Sequence, residues 1–170
     1  MTTQDSAAAK TLHDFSIPGL MGGTIRMSDF RGRPVLLVNT ATQCGFTPQL
    51  HALEALWQEQ QAKGGGVQII GVPSADFGNQ EYDQADKTSQ VCTINYGVTF
   101  PLAAKQAVKR KSGQSDLYDW ASSQAGWLGH PRWNFHKFLF DGDGNLVDWF
   151  APFTKPDSKK LQAALDAVSS

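Results

Sequence analysis

The stretch that decides the fold is residues 35–72, VLLVNTATQCGFTPQLHALEALWQEQQAKGGGVQIIGV. Val35-Leu-Leu-Val38 is a continuous apolar run with β-branched residues at both ends, the pattern of a central strand buried on both faces. Thr47-Pro48 then offers a helix N-cap and a proline at the first helical position. Leu50, Leu53, Leu56 and Trp57 recur at helical spacing to about Lys63. Gly64-Gly-Gly66 stops that helix, and Val67 to Val72 is a second apolar strand. Strand, helix and strand in this order form a β-α-β unit, whose strands run parallel with a right-handed crossover.

Upstream, a short strand from Phe15, a turn at Gly19, Gly22 and Gly23, and a short strand from Thr24 to Met27 read as an N-terminal hairpin. Residues 1–12 are polar, small and aperiodic. They read as a disordered lead, which leaves 13–170 as one domain. Downstream, residues 82–96 read as a helix ending at Gly97. Thr88, Ser89, Val91, Thr93, Ile94 and Asn95 are mediocre helix formers, so this helix opens cheaply. A short helix over Ser115 to Ser122 turns Leu117, Trp120 and Ala121 inward. Phe135 to Phe140 and Leu146 to Phe150 flank Asp141-Gly-Asp-Gly-Asn145 as a hairpin. A last helix opens at Thr154-x-x-Asp157 and carries Leu161, Ala164, Leu165 and Val168 on one face. A parallel pair joined to an antiparallel pair is the thioredoxin-like layout: an α/β domain with a central mixed sheet flanked by helices, plus the N-terminal hairpin. That layout alone implies no activity.

Composition removes several classes of function. The chain has 170 residues, 15 Lys+Arg against 16 Asp+Glu, and a net charge of -1. No like-charge run exceeds Lys109-Arg110-Lys111, so the footprint for nucleic acid is missing. No apolar run approaches about 18 residues, so no membrane span is expected. The opening MTTQDSAAAK lacks the basic and apolar regions of a signal peptide, and a cytoplasmic location is expected. Asp141 to Asn145 resembles the start of a calcium loop, but Leu146 and Pro152 stand where Gly and Glu are required. His13, His51, His130 and His136 lack ligand spacing, and Gly64 to Gly66 lacks the Lys-Ser/Thr of a phosphate loop. Neither metal nor cofactor is expected.

Two cysteines, Cys44 and Cys92, are too few for a disulfide scaffold. Cys44 lies three residues before Thr47, at the C-terminal end of the first core strand, where free helix N–H groups favour a thiolate over a thiol. The competing reading is a small buried hydrophobe. A C-x-x-C dithiol motif is excluded, because Thr47 occupies the second position.

Val38-Asn-Thr-Ala-Thr-Gln-Cys-Gly-Phe-Thr47 resembles the active-site segment of glutathione peroxidases in their cysteine form. Phe77-Gly-Asn-Gln-Glu81, Tyr96-Gly-Val-Thr-Phe-Pro-Leu102, Trp133-Asn-Phe-x-Lys-Phe138 and Phe150-Ala-Pro-x-Thr-Lys-Pro156 extend the likeness to the C-terminus. The resemblance implies a peroxidatic Cys44 with Gln80, Trp133 and Asn134 completing a tetrad. These are uncharged N–H donors able to steady a thiolate without neutralising it. Val91-Cys-Thr93 is similar to the resolving position of the thioredoxin-dependent branch, so Cys92 is implied to condense with a Cys44 sulfenic acid into a disulfide, with local unwinding on oxidation.

The implied substrates are hydrogen peroxide and organic hydroperoxides. Thioredoxin is favoured as reductant over glutathione, because the short Ala121 to Trp133 segment looks like that of compact, monomeric members without the basic glutathione-binding positions. Trp127, on the rim of that segment, is expected to be packed. The alternative is a peroxide sensor that relays oxidation to a client protein. Two departures stand out: Pro73-Ser-Ala-Asp-Phe77 replaces the usual Pro-Cys-Asn-Gln-Phe, placing Asp76 near the site with a charge able to raise the Cys44 pKa, and Tyr82-Asp83 replaces Pro-Gly.

Overall fold

The computed structural model describes residues 10–64, 66–110 and 113–169. The N-terminal hairpin pairs β1 (Ser16–Pro18) antiparallel with β2 (Thr24–Arg26). The main sheet holds β3 (Val35–Thr40), β4 (Gln68–Pro73), β5 (Lys137–Phe140) and β6 (Leu146–Phe150) in the order β4-β3-β5-β6. β3 runs parallel to β4, with Leu36 opposite Ile69, and antiparallel to β5, with Leu36 opposite Leu139. The helices are α1 (Gln49–Ala62), α2 (Ala85–Gln90), α3 (Asp116–Ala125) and α4 (Lys159–Val168). This is the mixed sheet, flanked by helices, that the sequence implies.

Alternation along β3 divides the core into two clusters. Leu36 and Val38 pack with Leu50, Leu53 and Leu56 of α1 and Leu161 and Leu165 of α4. Val35 and Leu37 pack with Leu117, Tyr118 and Ala121 of α3 and with Phe138 and Phe140 of β5. Every β3 residue is buried, so the strand that carries the chain to Cys44 is held from both sides. Truncating Leu36 or Leu37 to Ala costs about 2–5 kcal/mol.

Several boundaries differ from the sequence reading. Residues 1–9 of the expected lead lie outside the described residues, but Leu12 is not part of a disordered lead. It is fully buried in a 3-10 turn (Leu12–Asp14) capped by Thr11 and Asp14, since its apolar side chain fills the second cluster. The last helix begins at Lys159, with the Ser158 side chain rather than Thr154 as its cap, because the Thr154 carbonyl is taken by Lys137. Strand β5 starts at Lys137 rather than Phe135, which sits at φ 68 and cannot continue a strand there. Among the described residues, no helix is long and apolar enough to cross a membrane.

Candidate active site

β3 delivers the chain into a tight loop of which Cys44 is the centre. Thr47 does not cap α1: its Oγ1 accepts from the Cys44 amide at 2.9 Å and donates to the Ala41 carbonyl at 2.8 Å. Pro48 holds the N-cap position without a side-chain bond, and the chain enters α1 through successive turns from Cys44 to His51. The hydroxyl closes the loop on itself, so the Phe46 amide donates to Cys44 Sγ at 3.3 Å. Cys44 is buried, 9% exposed, as a member of the first core cluster.

The other three proposed residues arrive from two segments. Gly78 and Asn79 both adopt left-handed backbone, φ 70 and 51, which folds the loop after β4 back toward Cys44. The Gln80 carbonyl then accepts from the Gln43 amide at 3.0 Å, fastening this segment to the Cys44 loop. Asn134 Nδ2 donates to Gln80 Oε1 at 3.1 Å and to the Phe77 carbonyl at 3.4 Å. Gln80 Oε1 is therefore an acceptor, and its NH2 is the end left for the site. Trp133 packs against Phe77, ring centroids 6.0 Å apart, and a Cβ at position 78 would approach its ring to 3.0 Å.

Gln80, Trp133 and Asn134 are thus brought together, with different partners. Among the described residues the hydrogen bond that reaches Sγ is that of the Phe46 amide. The sequence held no signal for this bonding pattern, which depends on how two distant loops meet.

Cys92 lies in the same buried cluster as Cys44, and both thiols are free. It occupies a π-helical turn, Val91–Asn95, that continues α2, so the expected single helix over residues 82–96 is a short α-helix followed by wider, weaker winding. Gly97 at φ 66 ends it. Burial, and then the negative charge of Glu81, push the Cys92 thiol up to about 12.

Three supporting residues were not singled out from sequence. Asn39, buried on β3, donates from Nδ2 to the Trp133 carbonyl at 3.0 Å while its own carbonyl accepts from the Phe135 amide at 2.6 Å. Those bonds hold the left-handed Phe135 and so set the exit angle of Trp133 and Asn134. Lys137 is fully buried, its Nζ donating to Gln49 Oε1 at 2.8 Å, the Pro152 carbonyl at 3.0 Å and the Thr154 carbonyl at 2.6 Å. It ties the start of α1 to the loop after β6, and burial lowers its amine to about 7. Glu81 is buried and accepts from Thr42, Thr88 and the Tyr82 amide.

Trp127 contradicts its expected packing. It is 74% exposed, because α3 ends at Gly126 (φ 78) and the chain turns outward; Arg110 lies over its ring at 5.4 Å. Asp76 is committed to the backbone, its Oδ2 accepting from the Val108 amide at 2.6 Å and the Lys109 amide at 2.9 Å. Two cavities adjoin the site. One of about 330 Å³ is lined by Trp133, Phe77, Gly78, Arg132 and Lys109 among others. The second, of about 300 Å³, is lined by Gly45, Phe46, Pro48 and Phe153 among others.

The family model for glutathione peroxidase matches residues 12–122. A glutathione peroxidase of Lactococcus lactis is 42% identical over 147 residues, covering 85% of this chain and 92% of that protein. Glutathione peroxidase-like peroxiredoxin 2 of Saccharomyces cerevisiae is 39% identical over 160 residues, covering 91% and 97%. The solved structure described as Trgpx in apo form superposes with a TM-score of 0.75 at 30% identity, covering 94% of this chain and 96% of that one. A thiol:disulfide interchange protein DsbE of Chlorobium tepidum, at 21% identity, TM-score 0.64 and coverage of 95% and 96%, shares the thioredoxin-like fold. The chain belongs to the glutathione peroxidase family and is thereby a peroxidase, an oxidoreductase.

Proposed function

We propose that the protein reduces hydrogen peroxide and organic hydroperoxides through a two-thiol cycle on Cys44 and Cys92, recycled by thioredoxin in preference to glutathione. The observation that carries this reading is the Phe46 amide on Cys44 Sγ, within a loop that is bonded to the Gln80–Asn134 pair.

The Cys44 thiolate attacks the distal peroxide oxygen, the O–O bond breaks, and the leaving oxygen takes a proton to become water or an alcohol. Gln80 NH2 and the Trp133 indole N–H are the donors suited to that oxygen. The sulfenic acid left on Cys44 condenses with Cys92 to a disulfide, releasing water. A dithiol reductant then opens the disulfide by exchange and leaves as its own disulfide. The cycle consumes one peroxide and two thiols and yields water or alcohol, water and one disulfide. A second thiol on the chain makes a dithiol protein the fitting reductant, and a monomer acting in the cytoplasm fits such a cycle.

The test is steady-state peroxide consumption, run separately with thioredoxin plus its reductase and with glutathione, on the parent, Cys44→Ser and Cys92→Ser. Cys44→Ser abolishes turnover with both. Cys92→Ser abolishes turnover with thioredoxin. An undiminished thioredoxin-supported rate in Cys92→Ser overturns the two-thiol cycle, and a parent that stops after one equivalent of peroxide shows a sensor rather than an enzyme.

A further inference from the structure

Glu81 is a buried carboxylate to which that cycle gives no role, and it sits where the two cysteine segments meet. Its Oε1 accepts from Thr42 Oγ1 at 2.5 Å, from Thr88 Oγ1 at 2.9 Å and from the Tyr82 amide at 2.9 Å, while Oε2 is buried without a hydrogen-bond partner. Thr42 lies two residues before Cys44 in the peroxidatic loop. Thr88 lies on α2, one helical turn before Cys92. Residue 80, next in the chain, is already joined to the same loop through its carbonyl and the Gln43 amide. One carboxylate oxygen therefore binds the segment carrying Cys44 to the segment carrying Cys92.

We infer that Glu81 is a positioning residue that clasps these two segments, so that Cys92 reaches Cys44 only when the Thr88 side of the clasp lets go. The inference rests on the two-thiol reading above. The segment beyond Thr88 is wound as a π-turn with Ile94 78% exposed, and besides the Thr88 bond it is held by the buried Cys92 and Val98, by Tyr96 against the His51 ring at 4.7 Å, and by Thr99, which donates to Glu54 from its amide at 2.7 Å and its hydroxyl at 2.6 Å. Hydrogen bonds to a charged acceptor are stronger than neutral ones, so among these fastenings the Thr88 bond is the one that ties the stretch directly to the Cys44 loop. The clasp keeps Cys92 out of the way during peroxide attack and yields once the sulfenic acid has formed.

Thr88→Val removes the hydroxyl, keeps the shape, and leaves Glu81 Oε1 its other two donors. Stopped-flow measurement of Cys44 sulfenic acid formation and of Cys44–Cys92 disulfide formation, together with amide exchange across residues 85–96, tests the idea on the intact protein. Thr88→Val is expected to form sulfenic acid at the parental rate. Segment exchange and disulfide formation are both expected to quicken by the same factor, on the order of tenfold, and Thr88→Ser to restore the parental values. Glu81→Gln, which keeps the acceptor oxygen and removes the charge, moves both rates in the same direction and serves if the first variant fails to fold. Parental exchange and disulfide rates in Thr88→Val overturn the clasp, as does faster exchange without faster disulfide formation. A parent that forms no Cys44–Cys92 disulfide overturns the two-thiol reading, and the clasp with it.

Discussion

The burial of Cys92 sets the sharpest quantitative expectation. Its thiol is moved from 9.0 to about 12 by desolvation first and the Glu81 charge second. At any pH below about 9, a rise of three units lowers the thiolate population on the order of a thousandfold, equivalent to about 4 kcal/mol at about 1.36 kcal/mol per unit. Only the thiolate condenses at speed, so a route that first unwinds the segment is faster whenever unwinding costs less than about 4 kcal/mol. The poor helix formers and the π-turn around Cys92 place its opening at the low end of the local stabilities in a domain. The assay is pulse labelling of Cys92 with N-ethylmaleimide at pH 8 in Cys44→Ser, which removes the competing thiol, alongside amide exchange over residues 85–96. Labelling in native buffer is expected to run slower than in the unfolded chain, but by no more than about a thousandfold, and the two measurements are expected to return the same opening free energy. Labelling as fast as in the unfolded chain, or labelling while these amides remain protected, refutes the reasoning.

Lys137→Met removes the buried amine and leaves Gln49 Oε1 and the Thr154 carbonyl without their donor, while the Pro152 carbonyl keeps the Gln49 Nε2 bond. Below about pH 7 both the folded and the unfolded parent carry the ammonium, whereas from about 7 to 10.5 only the unfolded chain holds the proton. Parental stability relative to the variant therefore rises with pH in that window, by up to about 1.4 kcal/mol per unit, and a pH-independent difference in denaturant unfolding refutes the assignment.

His136, stacked on Trp149 at 5.6 Å and edge-on to Phe138 at 4.8 Å, is lowered to about 3 chiefly by burial. The unfolded chain binds its proton first as pH falls below about 6.5, so stability is lost down to about pH 3; His136→Phe is expected to remove about 2–3 kcal/mol of the loss between pH 7 and 4.5, read from unfolding curves at both pH values. Thr47→Val opens the Cys44 loop by deleting both hydroxyl bonds. Sulfenic acid formation is expected to slow on the order of tenfold, with Thr47→Ser restoring it, and an unchanged rate would show that the Phe46 amide does not need the loop closed.

The strands and most of the helices were legible because their signals are local: apolar runs on β3 and β4, 3.6-residue periodicity on α1 and α4, and glycine at the turns. The candidate site residues Cys44, Gln80, Trp133, Asn134 and Cys92 came instead from the resemblance of their motifs to glutathione peroxidases, since taken singly Gln80, Trp133 and Asn134 read as ordinary loop, core and turn residues. Their bonding pattern was not legible. That the Thr47 hydroxyl closes a loop instead of capping a helix depends on where the Ala41 carbonyl lies. That the Asn134 carboxamide meets Gln80 depends on Gly78, Asn79 and Phe135 bending two segments 54 residues apart toward one another.

The chain alone determines the order of elements and the setting of Cys44 between the first core strand and the helix after it, because each follows from side-chain chemistry and near-neighbour spacing, while the uncharged donors are what the family resemblance implies. Tertiary structure alone decides which groups meet. A buried amine at Lys137, a buried carboxyl group at Glu81 and an indole left in water at Trp127 run against the ordinary preferences of their residue types. Each is fixed by partners supplied, or withheld, by segments far away in sequence.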